Sequence, residues 1–296
     1  MKNRNFREML RIRQEEVNSL VCVGLDPLPE KMPRGFAPEY ARSNWCNIEK
    51  WMCKIVDVTA GFVSLFKLQR AHYEAIINGE SALRGITIHI HDKYPDIPVF
   101  LDCKRGDIGR TQERYRVAHF GVDMTDGMNF SPYMGKDCME YLVDNKNYPG
   151  RAIVGLCYTS NPSAREVQDV RMEDGRYYWE LIAEKTLKWA EDLGIVDNAG
   201  LVMAAAYEHP KGTGNISSYH LLRCREIVGD KLWFLIPGIG TQGGFIEETV
   251  KAAYTGPGSI AINSSSGIIF ASQDNDFAEA AAQKAKELRD EINKYR

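Results

Sequence analysis

The sequence lacks the features that mark disulfide-stabilised, membrane-spanning and nucleic-acid-binding proteins. Its seven cysteines are widely spaced and form no C-x-x-C pair, which argues against a disulfide framework or a zinc cluster. No apolar run is long enough for a signal peptide or a membrane span, and residues 1–16 are charged throughout. The 37 basic and 40 acidic residues nearly cancel, so no general attraction to nucleic acid or to anionic membranes is expected. We expect a soluble, cytoplasmic protein with reduced cysteines.

Eight short apolar runs are separated by longer amphipathic segments. The runs predict strands at Val21–Asp26, Val63–Leu68, Pro98–Lys104, Val122–Asn129, Ala152–Tyr158, Gly200–Ala206, Trp233–Pro237 and Ser259–Asn263. Most runs are apolar along their whole length, as in parallel sheets that helices cover on both faces. Helical spacing of apolar residues predicts an extra helix before the first strand, containing Phe6 and Leu10, and a last helix containing Ala281 and Ile292.

The spacing of these strands indicates the fold class. From Val23 to Ala261 there are 238 residues over seven intervals, or about 34 per strand and helix. This period suits an α/β fold of the (β/α)8 TIM-barrel type, whereas an open, doubly wound sheet is the alternative. Because no repeat or linker-like segment divides the chain, we expect a single TIM-barrel domain over residues 1–296.

Charged residues follow the apolar part of the third predicted strand, in the segment VFLDCKRGDIG. Residues two apart on a strand share a face, so Asp102 and Lys104 would point together into the mouth of the barrel. The next glycine permits a turn that brings Asp107 back towards them. Lys67 on the preceding strand could interleave with these groups, and Asp26 ends the first strand as a turn residue or a hydroxyl acceptor. A structural ion pair is the alternative, but charges of both signs beside an apolar strand favour a site.

Two segments rich in glycine and serine follow the last two predicted strands. The first, PGIGTQGG, contains G-x-G-x-x-G, but its late position without an early βαβ unit argues against a dinucleotide site. In barrels of this type, the loops after strands 7 and 8 often bind phosphate, and backbone N–H groups can do so. The second segment, NSSSG, adds hydroxyl groups at the same end. The sequence therefore predicts a phosphate site.

Five segments, each near the end of a predicted strand, together resemble one known family. They are GLDP at 24–27, FK at 66–67, DCKRGDIG at 102–109, TSNPS at 159–163 and PGIGTQGG at 237–244. The set is similar to the orotidine 5′-phosphate decarboxylases, in their longer bacterial type. The resemblance implies decarboxylation of orotidine 5′-monophosphate to UMP, the last step of de novo pyrimidine synthesis, with neither a metal nor an organic cofactor. It also implies a homodimer with shared active sites.

The resemblance further assigns roles to single residues. Lys104 would donate a proton to C6 of the substrate, and Asp102, Lys67 and Asp107 would complete an array of alternating charges. The substrate-binding residues would be Asp26 with Lys67 at the ribose, Thr111 and Asp107 reaching the partner's site, Ser160 at the pyrimidine edge, and Gln242 at the phosphate. The glycine- and serine-rich segments themselves add Gly240, Ser265 and Ser266 as candidate phosphate-binding residues. Loss of CO2 leaves an electron pair at C6 that the ring cannot delocalise, so a fixed cation is needed there.

The chain departs from the family at the phosphate end. After strand 8 the family usually presents an arginine, and Ser266 occupies the matching position. Serine carries no charge and cannot make a bidentate contact with phosphate. Either the backbone N–H groups of Ser265 and Ser266 suffice or another cation substitutes, with Arg110 as a candidate. We expect an active enzyme with a differently built phosphate site.

Two other functions stay open from the sequence. Magnesium-dependent hexulose-phosphate synthases, which are aldol-type lyases, carry a similar D-x-K-x-x-D on the same barrel, where the acids hold the metal. A catalytically inactive protein that binds UMP would also account for the missing arginine. His89 and His91 are not expected to form a metal pair, because residues two apart on a helix point in different directions.

Overall fold

The structure, a computed structural model, describes residues 4–210, 212–239 and 245–296. Its strands are β1 (Val21–Gly24), β2 (Leu65–Gln69), β3 (Val99–Arg105), β4 (Gly127–Phe130), β5 (Ala152–Tyr158), β6 (Ala199–Met203), β7 (Tyr207–Glu208), β8 (Ile216–Ser217), β9 (Trp233–Ile236) and β10 (Ile260–Ser264). Eight of them form a closed parallel barrel, in which β10 pairs with β1 and β9 pairs with β6. The remaining two, β7 and β8, form an antiparallel hairpin beside the barrel. The predicted (β/α)8 fold is confirmed.

Helices alternate with the barrel strands. They are α1 (Phe6–Glu16), α2 (Trp45–Thr59), α3 (Arg70–Glu74), α4 (Gly79–Lys93), α5 (Gly109–Arg116), α6 (Asp137–Glu140), α7 (Arg165–Gln168), α8 (Tyr178–Asp192), α9 (Tyr219–Val228), α10 (Ile246–Ala253), α11 (Ser266–Ile269) and α12 (Phe277–Ile292). A π-helix, Val117–Val122, continues α5. In the part of the chain that the structure describes, no helix has both the length and the apolar composition needed to cross a membrane.

The barrel interior is filled by apolar side chains from alternate strand positions. Phe100 on β3 and Trp233 on β9 meet edge to face, with ring centroids 6.0 Å apart, and Val154 and Leu235 pack in the same cluster. The extra N-terminal helix closes the lower end of this cluster, because Phe6 packs 5.0 Å from the Trp233 ring. The interior is therefore a packed core, as is usual for barrels of this type, whose ligand sites lie at the carboxyl ends of the strands.

Ion pairs hold the opposite, amino-terminal end of the barrel. Asp126, which precedes β4 and is fully buried, accepts hydrogen bonds from Arg4 at 2.6 Å and from Arg151 at 2.6 Å. His91 of α4 contacts the same carboxylate at 3.2 Å, whereas His89 contacts Asp57 on α2 at 2.8 Å. The two histidines of the IHIH segment thus lie on the helix before β3 and point to different carboxylates.

The prediction was wrong at the fourth strand. The apolar run from Val122 predicted a strand over Val122–Asn129, but the chain is helical up to Val122 and the strand spans Gly127–Phe130. Val122 itself is 53% exposed. A run of this length fits a helix end as well as a strand, and periodicity alone cannot distinguish the two. The other seven barrel strands lie within a few residues of their predicted positions.

Candidate active site

A cavity of about 690 Å³ opens at the carboxyl ends of the barrel strands. Polar side chains that end or follow six different strands line it: Asp26, Lys67, Asp102, Asn129, Ser160 and Ser265. Binding and catalytic groups of TIM barrels are held at this end of the barrel. The cavity is therefore the candidate active site.

Four charged side chains of alternating sign run along one wall of the cavity. Nζ of Lys67 lies 3.2 Å from Oδ1 of Asp26 and 3.7 Å from Oδ2 of Asp102. Nζ of Lys104 lies 2.6 Å from Oδ1 of the same Asp102. The order along the wall is Asp26, Lys67, Asp102, Lys104. The Lys67 side chain is 5% exposed, whereas that of Lys104 is 48% exposed and open to the cavity.

Strand register brings this array together. Lys67 pairs with Gly24 of β1 on one side, and Gln69 pairs with Asp102 of β3 on the other. Gln69 then connects both acids, because its backbone N–H donates to Asp26 (3.1 Å) and its side-chain amide donates to Asp102 (3.1 Å). The sequence analysis missed Gln69, although its place two residues after Lys67 puts it on the same face of β2.

Asn129 on β4 fixes the end of β3. Its side-chain N–H donates to Asp102 at 2.7 Å, while its carbonyl oxygen accepts the backbone N–H groups of Cys103 (2.9 Å) and Lys104 (2.7 Å). The register between β3 and β4 shifts here, and Lys104 has a φ of 48°, in the left-handed region. These contacts determine where the Lys104 side chain starts. Asn129 was also missed by the sequence analysis, since only the pairing of β3 with β4 brings this amide to Asp102.

The electrostatic environment keeps the two central members of the array, Lys67 and Asp102, charged. Burial would lower the pKa of Lys67, but the nearby carboxylates of Asp26 and Asp102 outweigh it and the net shift is upward. Burial would raise the pKa of Asp102, but Lys67 and Lys104 outweigh it and the net shift is downward. Both groups are therefore ionised at neutral pH. Beside them, burial raises the pKa of the Cys103 thiol to about 12, so this cysteine is not a thiolate nucleophile.

Comparison with known proteins identifies the family. A sequence model described as the Orotidine 5'-phosphate decarboxylase / HUMPS family matches residues 19–283. An orotidine 5'-phosphate decarboxylase of Cupriavidus necator is 40% identical over 294 residues, which cover 98% of each chain. This protein belongs to that family. The resemblance inferred from the sequence is confirmed.

Solved structures agree with this assignment. The OMP decarboxylase of Leishmania donovani matches with a TM-score of 0.76 and 29% identity, over 99% of this chain and 98% of that one. The UMP synthase of the same organism matches with a TM-score of 0.76 and 30% identity, over 98% of this chain. The match covers 56% of that longer synthase chain, so the likeness concerns about half of the synthase.

The other predicted site residues fall into two groups, those that line the cavity and those that do not. Ser160, Ser265 and Ser266 line the cavity. Asp107 and Thr111 follow β3 and are absent from the described lining of the cavity of their own chain. The carboxylate of Asp107 accepts a hydrogen bond from the backbone N–H of Ile108 (2.8 Å). Gly240 and Gln242 lie outside the described residues.

The far end of the cavity is built from small residues. Ser265 approaches β1 so closely that a Cβ on Gly24 would lie 1.8 Å from its Oγ, which makes glycine necessary at that position. Asn263 donates to the same Oγ at 3.3 Å. Within the described lining, lysine and arginine side chains come from Lys67 and Lys104 alone, and Arg110 is not among the lining residues.

Among the described residues, no three His, Cys, Asp or Glu side chains converge in a way that could hold a metal ion.

Proposed function

We propose that this protein decarboxylates orotidine 5′-monophosphate to UMP, as a carboxy-lyase of pyrimidine biosynthesis. The observation that carries the proposal is the ordered array Asp26–Lys67–Asp102–Lys104 at the mouth of the barrel. Relatives that match over 98% of the chain at 39–40% identity are named orotidine 5'-phosphate decarboxylase. The array supplies what this reaction needs without an electron-accepting cofactor.

The reaction breaks the bond between C6 and the carboxylate carbon. CO2 leaves, the electron pair stays on C6, and a proton from the ammonium group of Lys104 then forms the new C6–H bond; water returns a proton to Lys104. The electron pair lies in the ring plane and cannot delocalise, so a fixed cation nearby must stabilise it. Asp102 holds that cation in place at 2.6 Å and stays ionised. Lys104 therefore serves first as counter-charge and then as acid.

The remaining lining residues suit a nucleotide. Asp26 and Lys67 would contact the ribose hydroxyls, and Ser160, beyond the end of β5, would contact the pyrimidine edge. Ser265 and Ser266, with Gly240 and Gln242, would bind the phosphate. Remote contacts of this kind provide binding energy that holds the reacting carbon beside Lys104.

We also propose a homodimer with shared sites, located in the cytoplasm. Asp107 and Thr111 are absent from the described lining of the cavity in their own chain, as expected of residues that complete a neighbour's cavity. Ile108, which lies between them in the chain, is 48% exposed, and Tyr133, which lines the cavity in the loop after β4, is 82% exposed. An apolar surface at this point would be covered by a second copy of the chain.

A magnesium-dependent aldol lyase is less well supported, since in that chemistry acids of the D-x-K-x-x-D segment hold the metal. Here Asp102 is bound to two lysines, and Asp107 lies outside the cavity of its own chain. The test is to follow the fall in absorbance as orotidine monophosphate becomes UMP, in excess EDTA. We expect full turnover. Decarboxylation that stops with EDTA would contradict the metal-independent reaction, and UMP binding without release of CO2 would indicate an inactive binding protein.

A further inference from the structure

Lys104 combines a catalytic position with an unfavourable backbone conformation. Its φ of 48° lies in the left-handed region, which residues other than glycine rarely adopt because it is sterically strained. Such a conformation persists only where surrounding contacts enforce it. On the cavity side, the Asn129 side chain binds the N–H group of Lys104. The next residue, Arg105, is not among the residues that line the cavity, and its side chain instead contacts α3 and the π-helix.

A closed ring of five side chains contains Arg105. Its Nη2 donates to Glu74 of α3 (3.0 Å), and its Nε donates to His119 of the π-helix (3.1 Å). The same Glu74 oxygen accepts a hydrogen bond from Arg70 (3.0 Å), and Arg70 donates to Asp123 (2.8 Å). The Nδ1 atom of His119 contacts Asp123 at 2.9 Å and completes the ring. The ring holds two cations, two anions and one imidazole.

The hydrogen-bond directions set the state of the imidazole. Arginine has only N–H donors, so Nε2 of His119 must accept the bond from Arg105 and cannot carry a proton. Nδ1 therefore carries the proton and donates it to Asp123. His119 is 1% exposed and Asp123 is 2% exposed, so neither partner can turn to water instead. The Tyr115 ring stacks on His119 and lies 4.5 Å from the Arg105 guanidinium, so it packs against both of these ring members.

The two arginines of the ring each follow an active-site residue directly. Arg70 follows Gln69 at the end of β2, and Arg105 follows Lys104 at the end of β3. Both bind the same oxygen of Glu74. The ring therefore ties together, from outside the barrel, the two strand ends whose inner side chains form the charged array.

We propose that Arg105 is a positioning residue that acts through this ring to hold Lys104 in its strained conformation at the reacting carbon. The proposal rests on the proposed decarboxylation. It assigns to Arg105 an effect on the chemical step rather than on substrate binding, because Arg105 does not line the cavity. A displacement of the ammonium by about 1 Å would cost roughly 100-fold in rate.

The test compares kcat and KM of Arg105→Met with those of the wild type. We expect kcat to fall about 10- to 100-fold while KM changes by less than about threefold. Arg105→Lys keeps a positive charge beside Glu74, but its single ammonium group cannot bind Glu74 and His119 at once as the planar guanidinium does. Its kcat should therefore be intermediate. His119→Gln can accept from Arg105 and donate to Asp123, and it should keep more activity than His119→Phe.

Arg13→Met is the matched control. Arg13 is similarly shielded, with a side chain 17% exposed, and binds the carbonyl oxygens of Ala60 and Val63 far from the cavity. Its loss should lower stability and leave kcat unchanged. Wild-type kcat in Arg105→Met, or a loss explained by unfolded protein as in Arg13→Met, would overturn the inference. If Arg105→Met does not fold, a wild-type kcat in Arg105→Lys would overturn it. Absence of turnover in the wild type would instead overturn the proposed function, and the inference with it.

Discussion

Nζ of Lys104 lies 2.6 Å from Oδ1 of Asp102, and the two residues are two positions apart on one strand. Residues two apart on a strand share a face, so a lysine side chain can reach back to the aspartate. The register between β3 and β4 shifts at the same point, where Lys104 has its positive φ. Asp102 also accepts hydrogen bonds from Gln69 and Asn129, so this one carboxylate binds both lysines and both amides of the site.

Replacement of this carboxylate should therefore damage catalysis more than binding. In Asp102→Asn the two lysines lose their shared counter-ion, and Lys104 is no longer held at 2.6 Å. We expect kcat to fall at least about 100-fold, as for loss of a group that positions a catalytic cation. Asp57→Asn is a suitable control, because Asp57 also binds His89 and Lys93 but lies outside the cavity. Equal kcat values in the two variants would contradict this role of Asp102.

Shared sites predict recovery of activity on mixing. Lys104→Ala and Asp107→Ala homodimers should each be nearly inactive, since each lacks one member of every site. A mixed dimer contains one intact site, built from Lys104 of one chain and Asp107 of the other. After unfolding and refolding together, the mixture should regain about a quarter of wild-type activity. No recovery, with mixed dimers demonstrated by tagged chains, would show that Asp107 does not act across the interface.

The phosphate end should respond to added positive charge. Ser266 is exposed and lines the cavity at the end that lacks lysine and arginine among the described residues. Ser266→Arg should lower KM for orotidine monophosphate by about 10-fold or more, while affinity for the uncharged nucleoside uridine stays constant. Ser266→Ala and Arg110→Ala test the existing contacts. If both leave KM unchanged, neither side chain binds the phosphate.

A buried histidine predicts how stability depends on pH. His220 on α9 stacks on Tyr158 (4.7 Å) and contacts the carbonyl oxygen of Ala204 (2.8 Å). Burial lowers its pKa to about 4, so the unfolded chain takes up the proton first as pH falls below 6.5. The contribution of His220 to the free energy of unfolding is therefore fully present above pH 6.5. It is lost progressively as the pH falls to about 4, for a total loss of about 3 kcal/mol.

Chemical unfolding at several pH values between 7.5 and 4 checks this prediction. His220→Gln can still donate to Ala204 but does not titrate, so its free energy of unfolding should fall less steeply than that of the wild type. The carboxylates contribute equally to both curves, and the difference between them isolates residue 220. Parallel curves would mean that His220 is protonated as readily in the folded protein as in the unfolded chain.

Sequence patterns were sufficient for the fold because the strands are apolar and evenly spaced. Ala152–Tyr158 was predicted to the residue, and alternation correctly placed Asp102 and Lys104 at the barrel mouth. The hairpin of β7 and β8 was not predicted, since strands of two residues carry no periodicity.

The parts of the site that were missed are polar residues whose roles depend on contacts between strands. Asn129 and Gln69 are ordinary amides in the sequence, and only the pairing of β3 with β4 and of β2 with β3 brings them to Asp102. The shifted register that raises φ at Lys104 has no signal in the segment DCKRG. The ring around Arg105 has no signal in the sequence either, because its members come from three separate stretches of the chain.

The most direct test of the account is single-turnover decarboxylation of orotidine monophosphate by Lys104→Ala. Lys93→Ala is the matched control, since Lys93 is also about half exposed and ion-paired, to Asp57 at 2.9 Å, but lies outside the cavity. We predict that Lys104→Ala binds UMP and releases no measurable CO2, while Lys93→Ala turns over like the wild type. Turnover by Lys104→Ala within about 10-fold of the wild type would show that another group stabilises and protonates C6.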